Sequence, residues 1–472
     1  MQKVIHWFRQ DLRLDDNPAL FDAACHGKVL PVYILDDTHA GVYFMGAASR
    51  WWLHHALLAL DGSLQGHLRV YRGNPADILL AMAKDNGVHR VYWNRCYEPW
   101  QIKRDKAIKK LLEAHHIEVK SYNGFLLWEP LEVLKQDGTP YKVFTPYYRN
   151  GCLTPPRAAI SKPLPCVWDD ANHSTAINDL KLLSTITFQD SFKNHWQVGA
   201  AAAHQRLDAF VSEGLKGYKE GRNFPYKSQV SKLSPYLHFG QLSPHYVWYR
   251  LQCSKGLGYD EDVDHFCSEL GWREFAYYLL YYFPNLPKQN LNPKFDTFPW
   301  SQAYTSLTCW QSGQTGIPIV DAGMRQLLQT GYIHNRVRMI VASFLVKNLR
   351  LHWHHGERWF WDHLVDADLA NNSASWQWVA GCGADAAPYF RIFNPVTQGQ
   401  KFDPMGTYTR EFVPELRNIP DEYLFNPWEA PENMLHRAGI TLGKDYPRPI
   451  VDLKQSRHEA LEAFAVLKRT SL

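Results

Sequence analysis

The sequence predicts an α/β domain with a parallel sheet followed by an all-helical domain, and three observations carry that expectation. Over residues 1–130 short apolar runs alternate with amphipathic stretches of helical period. Between residues 130 and 165 prolines at 130, 140, 146, 155, 156, 163 and 165 interrupt both patterns. Beyond Trp196 the helical period continues without a strand pattern. The expected boundaries are therefore 1–130 for the α/β domain, 131–195 for a connector and 196–472 for the helical domain.

Residues 4–8, 29–35, 68–71, 91–93 and 119–122 read as buried strands, with helical patterns at 17–24, 47–60, 75–85 and 101–115 between them. Strand and helix in strict alternation imply right-handed crossovers and a parallel sheet covered on both faces. No G-x-G-x-x-G or P-loop follows the first strand, which leads instead into Trp7-Phe8-Arg9-Gln10-Asp11-Leu12-Arg13. Ordinary dinucleotide and nucleoside-triphosphate sites are therefore weakly supported. Proline excludes a long helix or a central strand from the connector, which should pack over the surface. The helices expected after it span 197–213, 244–252, 262–283, 318–329, 335–349, 357–364 and 371–380. Pro318 near a helix start and Gly331 just past its end follow the usual asymmetry.

The composition is that of a folded globular chain, 45% hydrophobic and 21% charged, with a net charge of +4. That charge is a mild lean toward anionic partners. The 18 tryptophans are the outlier; indoles suit stacking on flat ligands or bases, and also electron transfer, although a large aromatic core would use them equally well. The cysteines at 25, 96, 152, 166, 253, 267, 309 and 382 form no C-x-x-C pair, which suits reduced thiols in the cytoplasm and no metal. His352, His354 and His355 lack metal-ligand spacing and read as a solvated loop. No signal-peptide core or membrane-length apolar run is present, so a soluble cytoplasmic protein is expected, and a monomer.

Residues 369–383 carry no charged side chain, yet they are rich in amides, hydroxyls and tryptophan. As a helix this stretch places Asn372 and Trp376 one turn apart on one face, with Trp378 about 200° round from Trp376. Such a wall suits a large flat hydrogen-bonding ligand; a core segment with locally satisfied amides is the other reading. Glu269, Trp272, Arg273 and Ala276 fall on one helical stripe, an odd set for a core face. Asn335, Arg336 and Met339 share the side of a further helix, and Arg336 and Arg338, with no acid near them in sequence, suit phosphates or simply water. The turn containing Ser231, Lys232, Leu233 and Ser234 could offer hydroxyls and N–H groups to a phosphate.

Taken together, Trp7 to Arg13, Glu269-Leu270-Gly271-Trp272-Arg273-Glu274-Phe275, His334-Asn335-Arg336-Val337-Arg338-Met339 and residues 366–395 resemble the photolyase/cryptochrome family over essentially the whole chain. The likeness is greatest to bacterial photolyases of the class I type that act on cyclobutane pyrimidine dimers. The resemblance implies a Rossmann-like antenna domain, the connector and a helical domain holding FAD. It implies that Tyr218, Ser231, Lys232, Leu233, Ser234, Phe266, Glu269, Arg273, Asp366, Ala367, Asp368 and Asn372 hold the flavin. Asn372 would face flavin N5, where a neutral amide cannot protonate the ring as a carboxylic acid could. Trp376, Trp353 and Trp300 match a photoreduction chain. Arg222, Glu269, Trp272, Asn335, Arg336, Met339 and Trp378 match the cavity for DNA carrying a flipped-out dimer, where Glu269 would be a catalytic carboxyl of raised pKa in a dry site. A second chromophore, 5,10-methenyltetrahydrofolate or 8-hydroxy-5-deazaflavin, is expected. Many folate-binding members place Asn-Glu where this chain has Trp100 and Gln101, so the choice stays open. The alternative reading is a cryptochrome-type blue-light photoreceptor. A (6-4) photolyase would carry histidine at the positions of Asn335 and Met339, and a light-independent flavoprotein oxidoreductase would need a nicotinamide fingerprint that the chain lacks.

Overall fold

A computed structural model describes residues 2–160, 168, 175–183, 187–386 and 390–469. Cys166, Pro163 and Pro165 lie outside these. The first domain is a five-stranded parallel sheet of β1 (Lys3–Phe8), β2 (Lys28–Leu35), β3 (Arg69–Arg72), β4 (Arg90–Asn94) and β5 (Glu118–Tyr122). The strand order is β3-β2-β1-β4-β5. Its crossovers are α1 (Pro18–His26), α2 (Ala47–Ser63), α3 (Pro75–Asp85) and α4 (Pro99–Ala114). Helix α4 begins two residues before the expected start, because Pro99 occupies the first turn and Glu98 and Gln101 form a reciprocal capping box.

The strand order reverses beside β1, where a doubly wound sheet opens a crevice at the C-terminal strand ends. Here the Trp7-to-Arg13 segment fills it. The Arg9 guanidinium lies 4.5 Å over Trp7 and 5.6 Å over Trp93 and is paired with Asp105. Arg104 lies 5.0 Å over both Trp7 and Trp100. Arg13 donates to the carbonyls of Asp16, Gly124 and Gly240 at 2.8, 2.7 and 2.9 Å, tying the sheet to the helical domain. Gly240 is indispensable at that joint: its φ is +65°, and a Cβ would stand 2.0 Å from the Gln10 carbonyl oxygen.

The helices of eight residues or more beyond the connector are α5 (Ala200–Ala209), α6 (Pro244–Gln252), α7 (Asp260–Tyr282), α8 (Tyr304–Gln311), α9 (Pro318–Thr330), α10 (Asn335–Ser343), α11 (Trp353–His363), α12 (Leu369–Ala380), α13 (Pro395–Phe402) and α14 (Leu453–Arg469). Two helices expected to be longer pass into π turns, α5 at Phe210–Gly214 and α10 at Phe344–Asn348. The connector does not simply cover the surface. Its Phe144 and Tyr147 are buried and join the core shared by the sheet and the helical domain. The histidine cluster is not a loop either. The His352 ring caps α11 by accepting the His354 N–H at 3.2 Å, and His354 and His355 lie within its first turn. Burial holds the His352 and His354 imidazoles down at about 4. Among the described residues no helix is long and apolar enough to cross a membrane.

Candidate active site

Helices α7, α10 and α12, the turn before α12 and parts of the segment 218–238 line a cavity of about 930 Å³, at the upper end of small-molecule sites. The stripe expected on α7 faces it: Glu269, Trp272, Arg273 and Ala276 all line the wall, joined by Phe266 one turn earlier. Asn335, Arg336 and Met339 enter from α10. Asn372, Trp376 and Trp378 enter from α12, and Asp366, Ala367 and Asp368 from the turn ahead of it. Tyr218, Arg222, Ser231, Leu233 and Ser234 complete one side. Three expected residues stand apart. The Lys232 ammonium lies 5.9 Å over the Tyr332 ring rather than in the cavity, its backbone held at φ +53°. Trp353, at the start of α11, and Trp300 do not line the cavity.

The carboxylates under the cavity are committed to neighbours. Asp366 accepts from the Ser234 hydroxyl at 2.5 Å and from Arg338 Nη2 at 2.8 and 3.0 Å, so Arg338 has the acid that its local sequence lacks. Arg336 instead donates to Asn223 Oδ1 at 2.5 Å and lies 4.4 Å from the Phe402 ring centre. Asp368 caps α12 by accepting the Asn371 N–H at 2.8 Å and also accepts from His238 Nδ1 at 3.1 Å and from the Tyr277 hydroxyl. Burial disfavours its charge, but these donors prevail and hold the carboxyl at about 2. His238 and Tyr277 are distant in sequence, and no local pattern marks them.

Arg273 lies 4.4 Å over Phe125 and donates through Nη1 to buried Glu274 at 2.6 Å. Its Nη2 is buried without a partner. An unpaired guanidinium nitrogen, two serine hydroxyls and the amide of Asn372 fit a ligand with acceptor oxygens and a flat polar ring system, as FAD has. The Asn372 amide is oriented by donating to the Glu357 carbonyl at 2.9 Å. The Glu357 carboxyl accepts from Ser373, and burial pushes it up to about 7. The folded state thus binds this proton more tightly than the unfolded chain, whose glutamate titrates at about 4.5, and the resulting stability is lost as pH rises through 7. Glu357→Gln, which keeps an acceptor for Ser373 and never ionises, is expected to raise stability by about 3 kcal/mol at pH 8 and to change it little at pH 5. Urea denaturation at the two pH values checks this.

Glu269 is ion-paired rather than alone in a dry site: Arg222 Nη1 donates to its Oε1, and His265 Nε2 lies 3.8 Å away. Trp272 is one-third exposed and its ring stacks on Phe144, with centroids 3.8 Å apart and planes at 12°. Phe144 belongs to the connector, and nothing in its local sequence announced that role.

The three tryptophans are graded from cavity to surface. Trp376 lines the cavity, Trp353 is fully buried, and Trp300 is partly exposed. Gly356 allows the first step: a Cβ there would stand 2.0 Å from Trp376 Cη2, so the indole rests on the backbone of the turn that starts at Trp353. The His352 ring bridges the second, 5.5 Å from Trp353 and 5.0 Å from Trp300. At the N-terminal domain, Trp100 Nε1 donates to Glu98 Oε2 at 2.6 Å and Gln101 closes the capping box, so both are turned onto their own chain.

Residues 4–166 match the family model described as DNA photolyase, and residues 266–466 match one described as the FAD binding domain of DNA photolyase. A deoxyribodipyrimidine photo-lyase of Agrobacterium fabrum is 46% identical, over 99% of this chain and 98% of its own. Cryptochrome-2 of Arabidopsis thaliana is 36% identical, over 98% of this chain and 79% of its own. The crystal structure of a bacterial class III photolyase from Agrobacterium tumefaciens superposes with a TM-score of 0.93 at 45% identity, covering 99% of this chain and 98% of that one. The motifs resemble the class I type, whereas this solved neighbour is of class III.

Proposed function

The chain belongs to the DNA photolyase/cryptochrome family and carries its FAD-binding domain, and on that basis we propose that it repairs DNA by splitting cyclobutane pyrimidine dimers in light. One observation carries the reading: the flat apolar and hydrogen-bonding faces of Trp272, Met339, Asn335 and Trp378 line the same cavity as Asn372 and Trp376. A dimer turned out of the helix would then sit beside the flavin. Extrusion costs a few kcal/mol, less where the stacking is already damaged, and this favours the lesion over intact bases.

Reduced FAD, when bound, supplies on absorbing light the electron that opens the cyclobutane ring and receives it back. The chain's own residues bind and orient. Trp272, backed by Phe144, offers a stiff stacking face to one pyrimidine, and Met339 and Trp378 close the other sides. Asn335 and Glu269 present polar atoms to the base carbonyls and amides, already oriented before the dimer arrives. The Asn372 amide has no acidic proton to give and keeps its position through the Glu357 carbonyl. Arg222 and Arg336 at the same wall suit the phosphates on either side of the lesion.

Because Glu269 is paired with Arg222, its removal should spare affinity and harm chemistry. Glu269→Ala is expected to lower the quantum yield of repair about 3-fold or more, roughly 0.7 kcal/mol, with a smaller change in affinity for dimer DNA. Titration in the dark against yield under calibrated light separates the two; unchanged yield with lost binding would contradict the role.

A further inference from the structure

At the mouth of the cavity one nitrogen serves two acceptors. Arg222 Nη1 lies 2.9 Å from His265 Nε2 and also donates to Glu269 Oε1. An N–H donor facing Nε2 requires a lone pair there, so His265 is neutral with its proton on Nδ1. The imidazole is one-third exposed, and Nε2 stands 3.8 Å from the Glu269 carboxylate one turn further along α7. Three groups thus share one contact, of which Arg222 and Glu269 are proposed above to meet the substrate.

We propose that His265 is a positioning residue for DNA: neutral, it holds the Arg222 guanidinium on Glu269; protonated, it pairs with Glu269 itself and turns Arg222 out to a DNA phosphate. Protonation would place an N–H against an N–H and two positive charges within one hydrogen-bond distance, so the present arrangement cannot persist. The imidazolium needs to move about 1 Å to bond to Glu269, which then remains neutralised. The released guanidinium is the group best suited to a phosphate, through its planar fork of donors.

The other charges facing His265 do not substitute for either partner. Lys219 is engaged by Glu261 at 2.8 Å, and Asp262 accepts the backbone N–H groups of Gly217 and Lys219 at 2.8 Å. The Tyr218 ring lies 6.0 Å away. Burial and then Arg222 push the imidazole below its ordinary value, while Glu269 opposes them, so the change lies on the acid side of that value.

This inference rests on the repair reading, since it concerns how the cavity engages DNA. The test is the salt dependence of binding, in the dark, of the FAD-loaded protein to a single-stranded oligonucleotide with one thymine dimer, at pH 8.0 and 5.0. Each phosphate neutralised on a single strand adds about 0.7 to the slope of log affinity against log salt. The wild-type slope is expected to steepen by about that amount at pH 5.0, and His265→Gln and Arg222→Ala are expected to keep one slope at both pH values. A wild-type slope that does not change, or a His265→Gln slope that steepens like wild type, overturns the proposal. A pH-dependent slope without preference for the dimer over undamaged strand would count against the repair reading and leave the pairing in place.

Discussion

Replacing Trp353 by phenylalanine is expected to stop light-driven reduction of the bound flavin while leaving repair by chemically reduced protein intact. The expectation follows from where the three indoles lie. Trp376 is at the cavity wall, and its ring rests on the Trp353–Gly356 turn in the space that a glycine side chain leaves free. Trp353 is wholly buried and held by donating from Nε1 to Asn290 Oδ1 at 2.9 Å. Beyond it the His352 ring leads to Trp300 at the surface. Phenylalanine preserves the bulk but is far harder to oxidise than indole, so the relay is cut at its middle. Photoreduction by an external thiol should fall about 100-fold, some 3 kcal/mol in barrier. Repair by dithionite-reduced protein should stay within about 2-fold, because the variant leaves the cavity lining unchanged. Flavin absorbance under blue light, followed before and after dithionite, checks both halves. Equal photoreduction in the two proteins would remove Trp353 from the path.

Asp368→Ala is expected to be the most damaging single change to the site's scaffold. The carboxylate caps α12 and accepts from His238 and Tyr277, so its loss uncaps the helix and leaves two buried polar groups facing a void. A lost cap costs about 1 kcal/mol, and breaking a buried charged network costs about 3–5 kcal/mol. Helix α12 carries Asn372, Trp376 and Trp378, so the variant should also lose flavin on gel filtration. The pH dependence gives an independent check. The folded-state pKa is depressed to about 2 from 3.8, so the wild-type carboxylate contributes stability above pH 4 that disappears as pH falls through 2. The gap in stability between wild type and Asp368→Ala should therefore shrink by about 2 kcal/mol across that window. A gap that is constant with pH would mean that the ionised carboxylate is not the stabilising species.

Much of this architecture was legible in the chain, because period and punctuation are local properties. The alternation of strand and helix placed the parallel sheet, and the i, i+3, i+4 stripe on α7 placed four side chains on one wall of the cavity. Partners across the fold were not legible. Arg338 seemed to lack an acid because Asp366 arrives from another segment, and Glu269 seemed isolated because Arg222 lies 47 residues away. Phe144 lay in a proline-rich stretch whose composition suggested surface, yet it backs Trp272. The histidine cluster resembled a loop because His352 spends its polarity on a helix N-terminus rather than on water. Two long helical patterns concealed π turns, which change hydrogen-bond register without changing apolar spacing enough to show. Helices α8, α13 and α14 escaped notice; α8 and α13 are only eight residues long, and α13 opens with Asn394 capping and Pro395 in the first turn.

The most direct test of the central claim is to mix the FAD-loaded, reduced protein with thymine-dimer DNA and follow ultraviolet absorbance in blue light and in the dark. Recovery of thymine absorbance in light alone is the result that the cavity and its indoles predict. No recovery, from protein whose flavin is bound and can be photoreduced, would contradict repair and leave a light-sensing flavoprotein in its place.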